Sequence, residues 1–221
     1  MRQYILEKVN NSPNFIKFNG IEIEIKDQLP KDFDLKAILK NIEKTIPSHF
    51  FKNLEKITIE DNKEFKERSI SAIYSDNSFI ISPKQKNAND LLDDIVHELA
   101  HHVETLFVKE IYSDDKIKNE FIKKRHELKF EIQAEGYWVE DYDFDNIKFD
   151  KSFDTFLYSR LGRNMISMVT AGIFIRPYAA ISLREYFATG FEAYYLGKQN
   201  ELEKISPMLY DKINDLSTNN K

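Results

Sequence analysis

Three of the chain's five histidines lie within six residues, in Asp93-Asp94-Ile95-Val96-His97-Glu98-Leu99-Ala100-His101-His102-Val103-Glu104. His97, Glu98 and His101 form an HExxH pattern. Residues four apart on a helix are offset by about 40° and about 6 Å of rise, so two imidazoles on one face can share an ion. Glu98 falls about 100° round from His97, beside such an ion and free to take a proton from its water. With five histidines and about 20 glutamates in 221 positions, shuffling yields the pattern on the order of 0.01 times per chain. Chance is a poor explanation, and so is a set of solvated surface histidines. His49 and His126 read as surface residues, and His102 has no assignment.

The chain has no cysteine. Disulfides, iron–sulfur clusters, thiolate zinc sites and thiol catalysis are excluded together, so any metal must take nitrogen and oxygen ligands. A catalytic zinc site has three protein ligands and one open position. A metzincin would carry glycine at 104 and histidine at 107, where Glu104 and Phe107 stand. A thermolysin-like site would place aspartate four residues after a glutamate near 120, but Lys124 follows Glu120. The best remaining candidate is Glu185, in Tyr178-Ala-Ala-Ile-Ser-Leu-Arg-Glu-Tyr-Phe-Ala-Thr-Gly-Phe-Glu192. Ser182 and Glu185 also fit a capping box, in which Glu185 does no more than cap its own helix. Spacing alone leaves both readings open.

The histidine pair needs a helix, and the pattern supplies one. Leu92, Ile95, Val96, Leu99, Val103, Leu106 and Phe107 recur as an apolar stripe beside a polar one of Asp93, His97, His101 and Glu104. Upstream, Phe15–Phe18 and Ile21–Ile25 flank Asn19-Gly20, a strong hairpin signal. Leu35 to Ile46 have helical spacing and stop at Pro47. Strands are expected at 56–60, 71–74 and 79–82. Further helices are expected at about 89–108, 115–138, 152–161, 164–174, 182–196 and 200–216. Residues 140–150, acidic and aromatic, read as a surface loop.

Net charge is −5, which argues against a sequence-independent grip on nucleic acid phosphates. The basic run Lys123-Lys124-Arg125-His126 reads as a solvated helix face among Glu120, Glu127 and Glu131. Residues 1–8 show no apolar leader core. The least polar stretch, 165–175, is far short of the about 20 residues a membrane span needs. These features lead to the expectation of a cytoplasmic protein with no membrane span.

HExxH, then Glu185-Tyr-Phe-Ala-x-x-Phe191, with Tyr178 seven residues before the glutamate, resembles the family of the anthrax lethal factor catalytic domain and the Pro-Pro endopeptidases, which are gluzincins. Leu29-Pro30, the helix ending at Pro47, Ile57-Thr58-Ile59, and Ala72-Ile73-Tyr74 before Phe79-Ile80-Ile81 follow that domain's order. The resemblance covers about 28–108 and 176–197. It implies His97, His101 and Glu185 as zinc ligands, Glu98 as general base, and Tyr178 as a hydrogen-bond donor to the transition state. The alternative for Tyr178 is a buried structural tyrosine. The chain departs from the family in three places, the first being His101-His102 where Gly-His is more usual, with Ala100 in the small position. The gap from His101 to Glu185 is roughly double the family's, marking 109–175 as an inserted helical element. Position 189 is threonine where the family carries an acidic residue, leaving Glu192 and Glu104 as candidates to support the ligands.

The expectation is an α+β, zincin-like metalloprotease fold forming one domain over 1–221. It comprises an α/β part (1–86), an active-site helix (87–108), a helical insertion (109–175), and the glutamate and C-terminal helices (176–221). The expected function is a Zn2+-dependent metalloendopeptidase acting on a protein or peptide. The alternatives are a narrow processing protease like the ImmA/IrrE metallopeptidases, or a catalytically silent scaffold of the same fold.

Overall fold

The computed structural model describes residues 14–68 and 70–218; the leader expectation for residues 1–8 lies outside them. The chain is α+β, and its described residues fall into two compact units that divide after Val103.

The first unit is built on a five-stranded mixed sheet. Strands β1 (Asn14–Phe18) and β2 (Ile21–Ile25) form the expected hairpin. Asn19 and Gly20 take positive φ of 49° and 82°, as a two-residue turn matched to strand twist requires. Helix α1 (Leu35–Thr45) buries Leu35, Ile38, Leu39 and Ile42, and the Asp34 carboxylate accepts from the Ala37 N–H at 3.0 Å. β3 (Lys56–Ile59) pairs parallel with β2. A short helix the pattern had not signalled, α2 (Lys63–Arg68), precedes β4 (Ala72–Ser75) and β5 (Ser78–Ile81). Asp76 and Asn77 turn that second hairpin, again with positive φ. The strand order is β1-β2-β3-β5-β4, so β4 is an edge strand. Period-two alternation puts Ile21, Ile23, Ile57, Ile59, Phe79 and Ile81 on one face, each at most 2% exposed. Helix α3 (Ala88–Leu106) follows β5. The Asn87 side chain opens it by accepting from the Asn89 and Asp90 N–H groups at 2.9 and 3.0 Å.

The second unit is helical. It contains α4 (Val108–Tyr112), α5 (Lys116–Ala134), α6 (Lys151–Thr155), a π-helical turn (Phe156–Leu161) and α7 (Gly162–Val169). A 3-10 turn (Pro177–Ala180), α8 (Leu183–Tyr195), α9 (Gln199–Ile205) and α10 (Pro207–Thr218) complete it. α10 packs on both α5 and α8. Phe121, Leu128, Tyr186, Phe187, Phe191, Leu209 and Ile213 are fully buried there.

Several expectations need correction. The helix expected at 152–161 widens to a π turn after Thr155, and the one at 164–174 stops at Val169. The one at 200–216 breaks at Ser206 because Pro207, lacking an N–H, begins a new helix. The basic run is only half solvated. Lys123 and His126 are exposed, but Lys124 and Arg125 are 6% and 1% exposed, because they share the inner face of α5 with Phe121 and Leu128. His49 is half-buried, its ring 4.3 Å from that of Phe50. Residues 140–150 are free of helix and strand, as expected. No helix among the described residues is long and apolar enough to cross a membrane.

Candidate metal centre

Of the apolar stripe expected on α3, Ile95, Val96, Leu99 and Val103 are buried, whereas Leu92, Leu106 and Phe107 are half-buried and Leu91 and Ala100 complete the inner face. Leu91, Ile95, Val96, Leu99, Ala100 and Val103 are at most 2% exposed. His97 is half-buried, and Glu98 and His101 are each 6% exposed. The imidazoles of His97 and His101 stand nearly perpendicular, at 87°, with their Nε2 atoms 3.1 Å apart. Two nitrogens each about 2.0–2.1 Å from a tetrahedral zinc would be about 3.3 Å apart, so the pair matches the spacing a shared ion needs.

His102, unassigned by sequence, is fully buried and belongs to the scaffold. Its Nε2 lies 2.9 Å from the Lys52 carbonyl, and its Nδ1 lies 3.2 Å from the Tyr74 hydroxyl on β4. Burial pushes its pKa below the usual histidine value, against the opposing effect of the Lys52 carbonyl. The neutral ring can then donate at one nitrogen and accept at the other. The start of α3 is tied down as well: Gln85 Nε2 donates to the Ser82 carbonyl at 3.1 Å and to Asp94 at 2.7 Å.

Glu185 lies in the first turn of α8. The Ser182 hydroxyl accepts from the Glu185 N–H at 3.2 Å. That bond is the Ser182 half of a capping box and engages the backbone of Glu185. One ligand atom each from His97, His101 and Glu185 lie within 4.8 Å of one another, and among the described residues these three form a group able to hold a metal ion. Two imidazoles and a carboxylate are the donor set that catalytic zinc accepts.

Tyr178 sits on the 3-10 turn and is 40% exposed, which removes the buried-tyrosine alternative. Beside it, Arg176 pairs at 2.6 Å with Glu192, whose side chain is 4% exposed. Thr189 donates to the Glu185 carbonyl at 2.8 Å, bracing the turn of α8 that carries the ligand candidate. Glu104 accepts the Tyr112 hydroxyl at 2.6 Å and stands 3.6 Å from Arg184, the residue before Glu185. Burial, reinforced by Glu104, pushes the Tyr112 phenol well above its usual pKa. Glu120, the carboxylate a thermolysin-like site would have needed, serves the fold. It accepts from the Tyr186 hydroxyl at 2.8 Å and from the Met208 and Leu209 N–H groups at 3.0 and 3.1 Å.

Sequence reasoning missed Arg176, Arg184, Tyr112 and Arg125. For the first three no spacing signal was available, because their partners come from other elements. Arg125 did leave a signal: it interrupts the apolar stripe Ile117, Phe121, Leu128, Ile132 at a core position. No family model matches the chain, and no curated protein or solved structure matches it.

Proposed function

We propose that the chain is a zinc-dependent metalloendopeptidase of the gluzincin type, with a zincin-like fold. The observation that carries this reading is the convergence of His97, His101 and Glu185 around one point, with Glu98 next to the first of them on the same helix. Zinc held by those three residues would act as a Lewis acid, activating water at neutral pH and polarising a carbonyl. Glu98 takes the proton from that water and returns it to the leaving amine. Its near-complete burial strengthens every charge interaction it makes. Tyr178, exposed at the start of its turn, donates its phenolic hydrogen to the developing oxyanion. β4, as an edge strand, offers an extended substrate a partner for main-chain pairing.

The test is zinc content together with cleavage of a peptide library, for wild type and Glu98→Ala. The variant should retain metal and lose activity by roughly 100- to 10,000-fold. Unchanged turnover would overturn the mechanism.

A further inference from the structure

Arg125 occupies a core position of α5 that the helix pattern reserves for an apolar side chain. It is 1% exposed and heads the largest fully buried side chains. Burial lowers its pKa to about 10, against the raising influence of Asp143, Asp145 and Asp150. Among the described residues its hydrogen bonds go to backbone carbonyls: Nη1 to Ala180 at 3.0 Å and Ile181 at 3.4 Å, and Nη2 to Asp143 at 2.9 Å. The guanidinium lies 3.9 Å from the centre of the Phe153 ring. Among the described residues its Nε has no hydrogen-bond partner.

An apolar residue of similar size would fill this space at less electrostatic cost, so the value of the arginine lies in what its fork holds. Ala180 and Ile181 sit between Tyr178 and Ser182, the residue whose hydroxyl caps the helix of Glu185. The same turn is pinned a second time, by the Leu183 N–H donating to the Ile147 carbonyl at 2.9 Å. Asp143 and Ile147 belong to the acidic loop, so one guanidinium joins α5, that loop and the strip carrying Tyr178 and Glu185. A lysine ammonium is a point donor and cannot reproduce the planar fork.

We propose that Arg125 is a positioning residue of the metal centre, setting the backbone from Tyr178 to Glu185 so that the Glu185 carboxylate reaches the ion. This rests on the metal-site reading above. The test measures the zinc dissociation constant by chelator competition on the full chain, with the melting temperature of the zinc-free protein followed in parallel. The variants are Arg125→Lys, Arg125→Met, His101→Ala, and Phe153→Leu as a packing control. Both Arg125 variants should bind zinc about 10-fold or more weakly. Phe153→Leu should melt earlier and keep wild-type affinity, because loosened packing alone leaves the carbonyl contacts in place. Wild-type affinity in the folded Arg125 variants overturns the inference. So does an equal affinity loss in Phe153→Leu, or failure of both Arg125 variants to fold. Wild-type protein that binds no zinc at all overturns the metal-site reading itself.

Discussion

His97 and His101 face one another across one helical turn with their Nε2 atoms 3.1 Å apart and their rings nearly perpendicular. Two neutral imidazoles so placed can share at most one hydrogen between them, and a cation coordinated by both nitrogens satisfies the two lone pairs together.

That geometry predicts metal-linked stability. A ligand that binds only the folded state at 100 times its dissociation constant adds about 2.7 kcal/mol. Zinc at such an excess should raise the melting temperature of the wild type by several degrees and leave that of His101→Ala unmoved. Equal shifts in the two proteins, read by calorimetry, would remove His101 from the site.

His102 is adjacent in sequence and opposite in role. His102→Ala leaves a cavity and strips partners from the Lys52 carbonyl and the Tyr74 hydroxyl, which together should cost about 2–4 kcal/mol of stability. Zinc affinity of the folded variant should stay near wild type. Denaturant unfolding and chelator competition on the same sample would expose any coordination role for this ring.

Asp150 gives the second unit an acid-sensitive cap. Its carboxylate accepts from the Ser152 hydroxyl at 2.6 Å, the Ser152 N–H at 2.7 Å and the Phe153 N–H at 3.3 Å. These bonds, led by the Ser152 hydroxyl, hold its pKa below the ordinary carboxylate value. The folded pKa is lower than the unfolded one, so the stabilisation is complete above the unfolded value of about 3.9 and fades as pH falls through the folded value. Asp150→Ala should cost about 1 kcal/mol at neutral pH. The gap to wild type should close below about pH 4; a gap independent of pH would show that the charge contributes nothing.

Gly190 marks a close helix crossing. A Cβ there would stand 2.3 Å from Leu209 Cδ2 and 2.8 Å from its Cγ, in a fully buried side chain. Alanine gains about 1 kcal/mol of helix propensity, but overpacking a filled core costs about 1–3 kcal/mol. Gly190→Ala should therefore be net destabilising in urea unfolding. A more stable variant would show that Leu209 can rotate aside freely.

Much of the first unit was legible because its signals are local. Asn19-Gly20 dictates a tight turn, alternation along 21–25 and 78–81 chooses one buried face, and Pro47 stops α1. The histidine pair was legible for the same reason, since residues four apart meet wherever a helix forms. The π turn at 156–161 and the inward rotation of Lys124 and Arg125 had no local cause strong enough to read, and tertiary packing overrode the charge pattern there.

By itself the sequence limited any metal site to nitrogen and oxygen donors: five histidines, no cysteine, and two imidazoles held on one helical face by the 3.6-residue period. It also singled out Glu185 as the best candidate for a third donor, without separating a ligand from a helix cap. Only the tertiary structure showed the Ser182 hydroxyl accepting from the Glu185 backbone N–H, and a Glu185 carboxylate oxygen within 4.8 Å of ring nitrogens of His97 and His101. It also decided that His102 serves the scaffold and that Arg125 braces the strip leading to Glu185. Those outcomes depend on contacts between groups such as His102 and Lys52, or Arg125 and Ala180, whose separation along the chain far exceeds any helical or strand period.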